Sequence, residues 1–203
     1  LTINVAAVVI CAVTPFLGID QPLGIIQMLW INLVMDGLGA LALGAEPALS
    51  KYMQEKPKSR TQSIISKKMM TQISLAAAWI IAVSLVFLFA PFMKDLFTVN
   101  GEYVNRLHFT GYFSLFVFSA VFNGFNVRND SFNVLKNVKE NPGFLKVMGI
   151  IAVVQVLVST FGGELFECEA IGIKQWGIVL LLAFTIIPFD MIRKAITNKL
   201  VQE

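Results

Sequence analysis

Ile26-Gln27-Met28-Leu29-Trp30-Ile31-Asn32-Leu33-Val34-Met35-Asp36-Gly37-Leu38-Gly39-Ala40-Leu41 is an apolar run with a carboxylate near its middle. At bilayer depth a charged side chain costs about 2.5–3.5 kcal/mol on insertion scales, so a chain keeps one there only to face a partner, a water-filled cavity or an ion. On a helix, positions i and i+4 share a face. Asn32 and Asp36 therefore present one neutral oxygen and one carboxylate to the same side. Hard cations such as calcium take ligand sets of this kind. Gly37 and Gly39 follow at once. They either loosen the helix and free backbone carbonyls for an ion or let another helix pack closely.

The rest of the chain supports a membrane setting. Hydrophobic residues make up 56% of the 203 and charged residues 14%, against about 25% charged in a soluble domain. The mean hydropathy is +0.72. A bilayer core takes about 20 apolar residues per helix. Candidate segments on that scale lie at about 1–17, 23–45, 69–92, 109–127, 144–161 and 175–192, giving an all-α, polytopic bundle of six transmembrane helices in a single domain, 1–203. The cytoplasmic loops fall at about 46–68 and 128–143. Residue 1 opens directly on an apolar helical pattern with no basic leader, the mark of a fragment of a larger protein.

Charge sets the orientation. Lys51, Lys56, Lys58, Arg60, Lys67, Lys68, Arg128, Lys136, Lys139, Lys146, Arg193, Lys194 and Lys199 fall on one side, and only Lys94, Arg106 and Lys174 on the other. The positive-inside rule places the richer side, and the C-terminus, in the cytoplasm. The net charge of +3 is small and spread between segments, which excludes nucleic acid as the partner and leaves the lipid bilayer.

Few other polar residues lie inside the segments. Asn4 either donates an oxygen to the same cation or bonds a neighbouring helix. Asn123, Asn126 and Gln155 read as amides holding helices together. Asp190 and Arg193, at i,i+3, form a pair. His108 sits at a segment boundary with no evident partner, and Thr98–Tyr103 contains an Asn-Gly hairpin turn. Cys11 and Cys168 are too far apart in the pattern to pair and have no zinc spacing. The chain carries no nucleophile elbow, Walker loop or zincin motif, and the loop at 46–68 is too short for a nucleotide-binding domain. Three readings remain: the membrane half of an energised pump, an ATP-independent secondary cation transporter or ion-binding membrane module, and a purely structural membrane region with Asp36 paired elsewhere. The second predicts paired repeats with matching broken helices, and the sequence has none.

Gln27-Met28-Leu29-Trp30-Ile31-Asn32-Leu33-Val34-Met35-Asp36-Gly37, followed by Leu41-Ala42-Leu43-Gly44-Ala45-Glu46-Pro47, resembles the sixth transmembrane helix of P-type calcium ATPases. Asn4–Val9 resembles their fifth helix, Asn123–Arg128 the end of their eighth, and Phe161–Phe166 with Gln175-Trp176 the approach to their tenth. The resemblance implies the C-terminal transmembrane region, helices five to ten, of a pump exporting calcium from the cytosol across the cell membrane. It implies that Asn32, Asp36 and Asn4 are metal ligands. Ala7, Met35 and Ala120 stand where two-ion relatives carry ligating Glu, Thr and Glu, which points to the plasma-membrane, single-site type. The partners it implies are the first four helices and the cytoplasmic domains. ATP and magnesium would act only in those absent parts, so the fragment alone would be inactive. The choice between calcium and manganese stays open at this level.

Overall fold

The computed structural model describes residues 1–46, 65–128, 131–136 and 138–200, with the backbone alone for 34–36, 67 and 197–200. Lys51, Lys56, Lys58, Arg60 and most of the loop at 46–68 lie outside the described residues, as do the side chains of Asp36, Lys67 and Lys199.

The described chain is helical apart from one two-residue hairpin. Helix α1 (Thr2–Val13) runs into a 3-10 turn, Thr14–Leu17, because Pro15 cannot continue α bonding. Gly18 then takes φ 90° to reverse the chain. The next segment is composite: α2 (Ile25–Trp30), a π-helix (Ile31–Leu38) and α3 (Gly39–Gly44). Helix α4 (Lys67–Phe89) starts where Ser66 Oγ accepts from the Met69 amide at 3.2 Å. It stops at Ala90, ahead of Pro91, which opens α5 (Pro91–Leu96). The hairpin pairs Thr98–Val99 with Glu102–Tyr103 around Asn100 and Gly101, both at positive φ, the backbone an Asn-Gly turn supplies.

Helix α6 (Asn105–Arg128) is followed by a short 3-10 turn, Val138–Glu140, and by α7 (Pro142–Phe161). Asn141 caps α7 by accepting from the Phe144 amide at 2.9 Å. The last apolar stretch breaks once, into α8 (Ile173–Phe184) and α9 (Ile186–Leu200). Pro188 explains the break: it has no amide to offer the Phe184 carbonyl and its ring crowds that carbonyl. Trp79 of α4 secures the joint, donating to Thr185 Oγ1 at 3.1 Å and stacking on Phe189 at 4.5 Å.

Helix α6 is the axis of the bundle, packing against α4, α7, α8, α9 and the π-helix. Of its 24 residues, 17 are buried, so it shows its neighbours, rather than lipid, nearly every face. Among the described residues three helices are long and apolar enough to cross a membrane: Lys68–Phe89, Pro142–Phe161 and the near-continuous Ile173–Ile196. Each turns a large apolar surface outward. Helix α6 is not among them. Enclosure explains the difference, because a helix shielded by other helices can carry polar residues that lipid would not tolerate.

Close packing at the hairpin end depends on Gly111. A Cβ there would stand 2.7 Å from Phe97 and 3.2 Å from Phe87, both fully buried rings. Gly111→Ala is expected to cost about 1–3 kcal/mol by overpacking, read as a lower thermal midpoint of the full-length protein in detergent. Gly177→Ala, with open space around it, should leave that midpoint in place.

Candidate cation site

The composite second segment positions the candidate ligands. Its start is fixed by Gln27, whose Oε1 accepts from the Gly24 amide at 3.1 Å, a capping arrangement that satisfies the first turn. Gln27 Nε2 donates to the Phe166 carbonyl at 2.7 Å, tying α2 to the loop after α7. One turn on, Trp30 Nε1 donates to Gln155 Oε1 of α7 at 3.2 Å, and its ring meets Phe166 edge-on at 5.8 Å. The far end is fixed as well. Asn141 Nδ2 donates to the Ala42 carbonyl at 3.1 Å. Glu46 pairs with Arg128 at 2.6 Å, and that guanidinium lies over the Phe144 ring.

Between these two fixed ends the helix widens into the π-helix. In a π turn the hydrogen bond closes at i+5 instead of i+4, and such turns recur at functional sites. Gly37 and Gly39 lower the cost of leaving α geometry, since each is a poor helix former by about 1 kcal/mol relative to Ala. The sequence expectation of a loosened helix is met by widening; the backbone stays hydrogen-bonded rather than unwound. Backbone carbonyls in such a turn point in directions offset from those of a regular α-helix.

Asn32 and Asp36 both lie on this π-helix, within one wide turn of each other. The Asn32 side chain is exposed on the described surface, while the Asp36 side chain is outside the described residues. Asn4 lies half-buried on α1. Helix α1 packs on α4 and meets α2 through a 3.8 Å contact between Cys11 Sγ and Met28 Sδ. The described residues contain no cluster of three or more His, Cys, Asp and Glu side chains suited to a metal. A cation here would draw on amide and backbone oxygens around one carboxylate.

The other polar residues are resolved into structural roles. Asn126 Nδ2 donates to the Ile186 carbonyl at 3.0 Å, joining α6 to α9. Asn123 is buried and, with Ala120, Gly124, Gly39 and Met148, lines a cavity of about 280 Å³. Asp190 pairs with Arg193 at 2.6 Å, as its spacing predicts, and Lys194 joins at 3.1 Å. His108 proves fully buried, bonded to the Tyr103 hydroxyl at 2.6 Å and the Phe87 carbonyl at 2.9 Å. Periodicity gave no sign of either partner, and only the hairpin's return brings Tyr103 over the ring. Cys11 and Cys168 are both free thiols.

Residues 20–196 match the family described as "Cation transporting ATPase, C-terminus". The chain is 33% identical over 198 residues to "Calcium-transporting ATPase 9, plasma membrane-type" of Arabidopsis thaliana, covering 97% of this chain and 18% of that protein. It is 33% identical over 198 residues to "Calcium-transporting ATPase 5, plasma membrane-type" of Oryza sativa subsp. japonica, again 97% of this chain and 18% of that protein. With "Plasma membrane calcium-transporting ATPase 1" of Homo sapiens it shares 34% identity over 184 residues, 87% of this chain and 15% of that protein. The chain thus spans 18% or less of the length of these relatives.

Cys168 reports on the loop that anchors α2. Burial pushes its thiol up from the usual range, and Sγ donates to the Phe166 carbonyl at 3.3 Å. The thiolate is the reactive form, so alkylation at neutral pH is expected to be slow and to speed up only as pH rises well above the ordinary thiol range. Peptide-level mass spectrometry after N-ethylmaleimide treatment measures this. Rapid labelling of Cys168 in the native protein at pH 7 would show that the loop does not pack against Gln27 as described.

Proposed function

Because this chain belongs to the C-terminal family of cation-transporting ATPases, we propose that it is the membrane-spanning, ion-binding portion of an ATP-driven calcium pump. Calcium is the transported substrate, and the plasma-membrane type is the form supported by the names of the relatives. The six spans at about 1–17, 23–45, 69–92, 109–127, 144–161 and 175–192 would be helices five to ten of the full protein. The basic loops and the C-terminus would face the cytoplasm, and the pump would reside in the cell membrane.

The observation that carries this reading is the π-helix at Ile31–Leu38, which interrupts an apolar segment at the two residues, Asn32 and Asp36, that the sequence singles out. Asp36 supplies the charge, Asn32 an amide oxygen and Asn4 of α1 a further amide oxygen. Calcium takes about six to eight oxygens at roughly 2.3–2.6 Å. Backbone carbonyls of the widened turn, water and a carboxylate from the absent helices would complete the shell. Ala7 and Ala120 stand where a second site would need carboxylates, so one ion moves per cycle. Energy would enter through phosphorylation in the absent cytoplasmic domains, where ATP and magnesium bind. The fragment alone would hydrolyse nothing.

The test is transport by the full-length protein. Asp36→Asn and Asn32→Ala are each expected to lower apparent calcium affinity about tenfold or more, since even residues that merely support a metal ligand are worth that much. Calcium uptake into sealed vesicles and calcium-stimulated ATP hydrolysis measure it. Unchanged affinity and uptake in Asp36→Asn would refute the ligand assignment.

A further inference from the structure

Behind Trp30 runs a continuous hydrogen-bond ladder that takes no part in any ligand set. Trp30 Nε1 donates to Gln155 Oε1 at 3.2 Å. Gln155 Nε2 donates to Ser159 Oγ at 3.0 Å. The Ser159 and Ser114 hydroxyls lie 2.8 Å apart, and Ser114 Oγ donates to the Thr110 carbonyl at 2.9 Å. Gln155, Ser159 and Ser114 are completely buried.

The chemistry fixes the direction of the first two bonds in this ladder. An indole nitrogen only donates, so the oxygen of the Gln155 amide must face Trp30 and its nitrogen must face Ser159. With the Ser114 proton on the Thr110 carbonyl, Ser159 donates to Ser114. A reversed Gln155 amide would set two donors against each other at Trp30. In an apolar bundle such a clash leaves a buried polar atom unsatisfied, which costs more than an average hydrogen bond gains. The indole of Trp30 is therefore held, through α7, to the axial helix α6.

Trp30 is the last α-helical residue before the π-helix, two positions ahead of Asn32. A π turn carries less intrinsic restraint than an α turn, so its start has to be fixed from outside if its side chains are to be preorganised. Resting on the reading of Asn32 and Asp36 as cation ligands, we propose that Gln155 is a positioning residue for the cation site, acting through the Trp30 indole. Gln155 touches no ion. It sets where the widened turn begins, so that binding does not have to pay for ordering it.

The experiment uses the full-length protein with Trp30→Phe, Gln155→Leu, the double variant and Asn32→Ala, with calcium-activation curves and thermal midpoints for each. Both single variants are expected to weaken apparent calcium affinity about fivefold, the scale of one net hydrogen bond, with maximal turnover within about twofold of wild type. The double variant should be no weaker in affinity than either single one, because both remove the same link. Trp30→Phe keeps an aromatic ring against Phe166 and serves if Gln155→Leu does not fold. Folded single variants with unchanged calcium affinity, beside an Asn32→Ala that loses it, would overturn the positioning role and leave the cation site standing. Additive losses in the double variant would also overturn it. If Asn32→Ala binds calcium normally, the site reading fails and the positioning role falls with it.

Discussion

An apolar bundle favours polar side chains that find a partner, and on α6 four of them find one on another element. His108 reaches the Phe87 carbonyl of α4, Ser114 the hydroxyl of Ser159 on α7, and Asn126 the Ile186 carbonyl of α9. Thr110 Oγ1 accepts from the Glu169 amide in the loop before α8. Four polar residues on the axis thus each reach a different neighbouring element, while Ser119 bonds back to the Leu115 carbonyl of α6 itself. These bonds are individually modest, worth about 0.5–1.5 kcal/mol net. They are directional where the surrounding apolar contacts are not, and so they set the rotation and depth of every helix around the axis.

The second segment inherits its geometry from this frame. It is held at the hairpin end by Gln27 and Trp30 and at the other end by Asn141 and the Glu46–Arg128 pair. Its middle departs from α geometry between those holds. A helix fixed at both ends and relaxed between them can change the pitch and direction of a few residues without displacing its termini. The bonds from α7, from the loop after it and from its Asn141 cap thus reach the segment on either side of its eight-residue π-helix.

Much of the architecture was legible in the sequence, for physical reasons. Apolar runs of bilayer length announce an all-α membrane region because lipid allows few alternatives, and the family match agrees with the resemblance seen in the Asn32–Asp36 run. A carboxylate inside such a run is conspicuous on energetic grounds alone. The pairing of Asp190 with Arg193 is local and followed from spacing. What escaped was long-range. Trp30 and Gln155 are 125 residues apart, His108 and Phe87 are 21 apart, and no periodicity links them. The widening at 31–38 was also hidden: two glycines say that a helix is weak, but whether it unwinds, kinks or widens depends on the contacts that hold its ends.

The polarity of α6 bears on where it sits. A helix less apolar than its neighbours gains more from meeting protein than from meeting hydrocarbon. The preceding α4 is amply hydrophobic. The short hairpin between them then returns the chain so that His108 and Tyr103 close over the Phe87 carbonyl. A hydrophobic helix thus stands just ahead of α6 in the chain and packs against it, a neighbour that shelters its polar side from lipid.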